Sequence, residues 1–150
     1  MRAVIQRVGG ATLGVDGERV ASIGRGLVAY IGIEQNDSEA DIIAACKKIT
    51  SMRIFSDDAG KMNLSVVDIG GEILVVPNFT LCADISHGNR PSFTGAMRPA
   101  VSASLMFDYC VNVFGDLMRA EGIPNGVRCG VFGADMTIDQ TNCGPVTIIY

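Results

Sequence analysis

The chain has a single histidine, His87, and no tryptophan among its 150 residues. One imidazole excludes every site built on two, including the common zinc arrangements. It also leaves a hydroxyl or thiol nucleophile short of a base. Long apolar runs are absent as well. The cleanest, residues 27–31 and 73–77, fall far short of the ~20 residues that span a bilayer, so no membrane partner is expected. The five cysteines, Cys46, Cys82, Cys110, Cys129 and Cys143, are odd in number and 36, 28, 19 and 14 residues apart. That spacing writes neither a disulfide framework nor a C-x-x-C pair, and free thiols follow. No metal and no cofactor is expected. Gly24-Arg25-Gly26 lacks a third glycine and leads into a strand, so it is no phosphate-binding loop.

What is present describes a globular chain. Hydrophobic residues are 48% and charged residues 19% of the total, with no block of like charge and no low-complexity run to mark disorder or a linker. At this length a single domain over residues 1–150 is expected, burying roughly 68–70% of its unfolded surface. The first residues enter an alternating strand pattern with no apolar leader, which gives the cytoplasm as the expected location. The net charge of −4 argues against a generic nucleic-acid binder. Its distribution is uneven, however. Residues 85–107 contain no acid but include His87, Arg90 and Arg98, so this segment is a candidate positive patch.

Periodicity gives the order of elements. Residues 2–8 alternate as a strand, and residues 11–15 and 18–23 flank Asp16-Gly17, the signature of a type I′ hairpin. Residues 27–33 are nearly all apolar, as in a strand covered on both faces. Ser38 and Asp41 form a capping pair, and Ile42, Ala45, Cys46, Ile49 and Met52 recur at helical spacing behind them. Residues 53–55, 62–69 and 72–76 read as strands, with a turn at Asp57-Asp58-Ala59-Gly60 whose adjacent acids are solvated turn formers rather than metal ligands. Pro77 interrupts the strand that residues 78–82 are expected to resume, freeing amides near Phe79 and Thr80 as candidate oxyanion donors. A polar loop, 84–95, precedes a second helix that starts at Pro99 and carries Met106, Cys110, Val113, Phe114 and Leu117. Residues 127–132, 136–140 and 146–150 complete the strands.

Side-chain chemistry is scarce. Thr80 is a possible nucleophile, but only if His87 reaches it. Backbone is better represented, in Asn142-Cys143-Gly144-Pro145-Val146-Thr147. Gly144 lacks a Cβ, Pro145 lacks an N–H and has a fixed φ, and the X–Pro bond between them can be cis. Such a dipeptide can hold two carbonyls in one direction; taken alone, the stretch reads first as an ordinary turn before an edge strand.

Several segments together resemble the D-aminoacyl-tRNA deacylases, small dimeric enzymes. These are Met1 to Val8, Arg53-Ile54-Phe55 with Gly60-Lys61-Met62-Asn63, Arg90-Pro91-Ser92-Phe93, and Gly130-Val131-Phe132-Gly133-Ala134-Asp135-Met136. Of the family's two motifs, Asn-x-Gly-Pro-x-Thr is matched in full by Asn142 to Thr147. The other, Ser-Gln-x-x-Leu, is replaced by Pro77-Asn78-Phe79-Thr80-Leu81. The resemblance implies an α+β fold: a curved, mostly antiparallel sheet, partly closed as a barrel, with two main helices. It implies hydrolysis of the ester of D-aminoacyl-tRNA, and of Gly-tRNA, at the 3′ end, in a homodimer with its sites at the subunit interface. In this pattern Gly144 and Pro145, cis and inserted beside Phe79 and Thr80 of the other subunit, would receive the α-amino group. Arg7 would hold them, Pro77, Asn78, Asn142 and Thr147 would complete the substrate site, and Arg90 and Arg98 would contact tRNA. Phe79 and Thr80 would act through backbone amides, with the ribose 2′-OH assisting water. The rival expectation, raised by Pro77 and Asn78, is a non-catalytic tRNA-binding or interaction module on the same fold.

Overall fold

The computed structural model describes residues 1–150. Its strands are β1 (Arg2–Val15), β2 (Glu18–Ile23), β3 (Gly26–Gly32), β4 (Phe55–Ser56), β5 (Met62–Leu64), β6 (Glu72–Pro77), β7 (Val127–Cys129) and β8 (Met136–Ile149), with helices α1 (Glu39–Ser51) and α2 (Ala100–Ala120). β1 organises the main sheet. It pairs antiparallel with β8 along most of its length on one edge, and with β3 and then β2 on the other. β3 continues in parallel to β6, and β6 to β7. β2 curls against β6 and β7 without a ladder, the unsealed seam of a nearly closed sheet. The fold is α+β, as the sequence resemblance implied.

The run of apolar residues in β3 and β6 follows from two cores. Ile5, Leu27, Ala29, Ile31, Ile73 and Val75 point to the helices, where they meet Ile42, Cys46 and Ile49 of α1 and Phe107, Cys110 and Phe114 of α2. Val8, Leu13, Ile23, Val28, Leu74 and Val76 fill the other face. Strands covered on both sides carry no polar alternation. The hairpin is as read: Asp16 and Gly17 both have positive φ, 52° and 82°. Ser38 and Asp41 make the full capping box of α1. No helix is long and apolar enough to cross a membrane.

Five local readings are corrected. Residues 2–8 and 11–15 are one strand, because β8 runs alongside both and absorbs the irregularity at Val8 to Gly10. For the same reason residues 136–140 and 146–150 belong to one 14-residue strand, so Asn142 to Thr147 is no turn before an edge strand. Residues 62–69 do not continue as a strand beyond Leu64. Asp68 accepts from the Ser65 amide and hydroxyl at 2.7 Å each, and the turn this starts closes through Gly71 N–H to the Val66 carbonyl. Residues 127–132 keep strand form only to Cys129. On α2 the buried stripe is Ala103, Phe107, Cys110, Phe114 and Met118, with Met106, Val113 and Leu117 beside it rather than at its centre.

The surface carboxylates of these turns contribute to the pH dependence of the fold. The Asn63 amide and the Lys61 N–H hold Asp57 below the usual carboxylate range, and the Ser65 N–H and hydroxyl do the same for Asp68. A lowered folded value adds stability above the unfolded pKa and loses it as pH falls through the folded one. The melting temperature should therefore hold from neutral pH down to about pH 5 and fall below about pH 4. In an Asp57→Asn, Asp68→Asn double variant that acid fall, followed by circular dichroism, should be shallower.

Candidate active site

The pairing of β1 with β8 shifts register twice, between Gln6 and Val8 and between Val8 and Gly10, and the first shift is the larger. Gln6 faces Thr147 and Val8 faces Asn142, so the single residue Arg7 stands opposite Cys143, Gly144, Pro145 and Val146. Four residues against one form a wide bulge, and it re-aims the backbone out of the ladder. Gly144 and Pro145 are exposed at its crest and are joined by a cis peptide bond. Gly144 has φ 118°, outside the range of L side chains, and a Cβ there would lie 2.8 Å from Arg7 Nη2.

Arg7 fixes the bulge from behind. Its Nε donates to the Cys143 carbonyl at 3.2 Å and its Nη1 to the Ile54 carbonyl at 2.6 Å. No carboxylate pairs with it, so the guanidinium is spent on two backbone oxygens from distant parts of the chain. Beside it lies a cleft of about 340 Å³ lined by Arg7, Arg25, Phe55, Ser56 and Cys143, where the Arg25 guanidinium sits 5.6 Å above the Phe55 ring.

The two ends of the bulge are tied by side chains on the opposite side. Gln140 Nε2 donates to Asn142 Oδ1 at 2.8 Å and to Gln6 Oε1 at 2.6 Å, Gln6 Nε2 donates to Thr147 Oγ1 at 3.3 Å, and the Tyr30 hydroxyl donates to Gln140 Oε1 at 3.1 Å. Asn142 and Thr147 thus bracket the bulge through one network. Burial raises the Tyr30 pKa, which keeps its hydroxyl a donor. Gln6, Tyr30 and Gln140 were not among the sequence candidates. The period-two spacing of Gln140 and Asn142 was the available signal, since alternate residues of a strand share a face.

The second candidate segment is a 3₁₀ turn, Phe79–Cys82, and not the resumed strand expected over 78–82. The cause is Asn78. Pro77 ends β6, the Asn78 N–H still reaches the Ile31 carbonyl at 2.7 Å, and the Asn78 Oδ1 then accepts from the Thr80 N–H at 3.2 Å and from the Thr80 hydroxyl. This is the local capping that short amide side chains favour. Gly32 makes room for it: a Cβ there would stand 3.0 Å from the Asn78 carbonyl and the Cys82 sulfur. The Thr80 amide is thus engaged by Asn78 in the free chain. Its hydroxyl also bonds to Asn78, and within the chain His87 makes no hydrogen bond to it.

Phe79 is 56% exposed and rests edge-on against Phe93, with centroids 5.1 Å apart. Through Phe93 the 3₁₀ turn supports the loop that carries His87 and Arg90, which the Asp84–Ser92 backbone pair closes at its base. Arg90 and Arg98 are exposed and have no acidic partner. The structure therefore brings Arg7, Asn142, Gly144, Pro145 and Thr147 into one group and Pro77, Asn78, Phe79, Thr80 and the Arg90 loop into another. No hydrogen bond within the chain links Phe79 or Thr80 to Gly144 or Pro145.

Comparison with known proteins extends over the whole chain. The family model described as D-Tyr-tRNA(Tyr) deacylase matches residues 4–150. A D-aminoacyl-tRNA deacylase of Chlorobaculum parvum is 50% identical over 149 residues, 99% of this chain and 96% of its own. One from Bacteroides thetaiotaomicron is 46% identical over 148 residues, 99% of this chain and 95% of its own. The solved structure of "c-Myc DNA Unwinding Element Binding Protein" superposes with a TM-score of 0.92 at 36% identity, covering 100% of this chain and 97% of that one.

Proposed function

Since the chain belongs to the D-Tyr-tRNA(Tyr) deacylase family, we propose that it is a cytoplasmic hydrolase that cleaves the ester between a D-amino acid and the 3′ end of tRNA, acting as a homodimer. The observation that carries this reading is the Cys143 to Val146 bulge held by Arg7. A selective site needs rigid groups that do not adapt to the wrong ligand. Here exposed backbone is fixed by a guanidinium from behind and by a side-chain network from the front.

In this mechanism the carbonyls at Gly144 and Pro145 accept from the substrate's α-ammonium group. The same backbone fills the space that an L side chain would need. The amides at Phe79 and Thr80 face the ester carbonyl and stabilise the developing oxyanion. For Thr80 this requires Asn78 to release the N–H it holds in the free chain. The 2′-OH of the terminal ribose assists the attacking water, a role that suits a chain whose one imidazole, His87, makes no hydrogen bond to Thr80. Arg90 and Arg98 contact the tRNA backbone.

The homodimer supplies what one chain lacks. No hydrogen bond within a chain links Phe79 or Thr80 to Gly144 or Pro145, and a partner's bulge would meet them across the interface. The state of β8 supports this. It has 14 residues and not one is buried, while Ile149 is 82% exposed, an unusual condition for a strand so apolar at its end.

Two measurements test the proposal. Release of D-tyrosine from charged tRNA should be accelerated by the protein; no acceleration would leave a non-catalytic binding module, the reading that Pro77 and Asn78 raise. Thr80→Ala should lower kcat less than about tenfold, because the backbone amide survives, whereas loss of a true nucleophile costs on the order of 10⁴-fold or more.

A further inference from the structure

Two polar residues of the chain are buried, Thr50 and Ser65, each 6% exposed, and both line the same trough between α1, α2 and the turn after β5. Ser65 is satisfied by Asp68. Thr50 is not: its Oγ1 is the one buried side-chain polar atom of the structure without a hydrogen-bond partner. A buried hydroxyl left unpaired is costly, and native structures rarely keep one without a reason. The trough encloses about 450 Å³, within the range of roughly 300–1,000 Å³ of small-molecule sites.

Its charges indicate what fits. Asp68 uses Oδ2 for Ser65 and leaves Oδ1 uncommitted, Glu121 forms no ion pair, and Lys47 on the facing helix has none either. Lys47 and Thr50 come from the C-terminal half of α1, and Leu117 and Glu121 from the end of α2. Helix C-termini carry partial negative charge and favour a cation beside the two carboxylates. Leu117 and Val67 add an apolar wall. We propose that this trough is a second ligand site that takes a free α-amino acid as its zwitterion. The ammonium lies against Asp68 and Glu121, the carboxylate reaches Lys47, the Thr50 hydroxyl bonds to the polar end, and an apolar side chain packs on Leu117. The site is separate from the bulge and does not depend on the catalytic reading.

The test uses L-leucine, isoamylamine and 4-methylpentanoate, which share one apolar body and differ in their charged ends, with binding followed by backbone-amide NMR and thermal shift. L-leucine is chosen because the proposed filter at Gly144-Pro145 turns L-isomers away, so failure here and failure of the catalytic proposal remain distinct. L-leucine should perturb the amides around Thr50, Ser65 and Val67 and raise the melting temperature, with the amine and the acid at least roughly threefold weaker. Thr50→Val, which replaces the unpaired hydroxyl with a methyl, should melt no lower than the parent without ligand and should bind L-leucine roughly threefold to tenfold more weakly. No perturbation by L-leucine at millimolar concentration would overturn the proposal. So would equal binding of amine or acid, unchanged binding by Thr50→Val, or a lower melting temperature of that variant, which would mean that the hydroxyl is already satisfied.

Discussion

Gly144→Ala should fold and yet lose on the order of 100-fold or more in kcat/KM for D-aminoacyl-tRNA. The residue lies at φ 118°, where an L side chain is strained whatever the space around it. Its new Cβ would stand 2.8 Å from Arg7 Nη2 and 3.1 Å from the Val146 amide. Arg7 and the bulge cannot both stay in place. A shift of about 1 Å in a positioning group can cost roughly 100-fold in rate. The fold itself should survive, because Gly144 is exposed and the β1–β8 ladder continues on both sides of the bulge. Steady-state kinetics paired with a melting curve checks both halves of this statement. A variant with near-parental activity would remove the crest of the bulge from the site.

Arg7→Lys should be nearly as damaging as Arg7→Ala, with losses of about tenfold to 100-fold or more. The two donors of Arg7 point to carbonyls from different elements, Cys143 and Ile54, and a guanidinium fork meets both at once. An ammonium is a point charge and can reach one well. The same substitutions should erode selectivity: with the bulge loosened, release of L-tyrosine should rise relative to D-tyrosine. Since Arg7 lies behind the bulge, the salt dependence of tRNA binding should hardly change. An Arg7→Lys enzyme with parental rate and parental D-over-L ratio would show that the bulge is held by the ladder alone.

The sequence made these residues visible to different degrees. The helices, the Asp16-Gly17 hairpin and the doubly covered strands could be read because apolar spacing and capping residues are local signals. The bulge could not be read, because it depends on β1 and β8 meeting across more than 130 residues, and only the pairing shows four residues facing Arg7. Gln6 stayed hidden for the same reason, while Gln140 had only its period-two spacing from Asn142 to mark it. The 3₁₀ turn at Phe79 was missed although its cause is local: Asn78 after Pro77 is a turn former, and the apolar character of Phe79, Leu81 and Cys82 outweighed it in the strand reading. On α2, Phe107 and Met118 take the core positions expected of Met106 and Leu117, a small rotation that a stripe shared among so many apolar residues leaves undetermined.

The central claim is that a fixed piece of backbone selects the substrate by excluding an L side chain, without gripping a D side chain. Release of tyrosine and glycine from D-Tyr-tRNA, L-Tyr-tRNA and Gly-tRNA by one preparation of the enzyme tests it directly. A steric filter predicts rapid hydrolysis of the D-tyrosyl and glycyl esters and survival of the L-tyrosyl ester, because glycine has no Cβ to reject. Hydrolysis of L-Tyr-tRNA at a comparable rate, or D-Tyr-tRNA cleaved while Gly-tRNA stays intact, would contradict it.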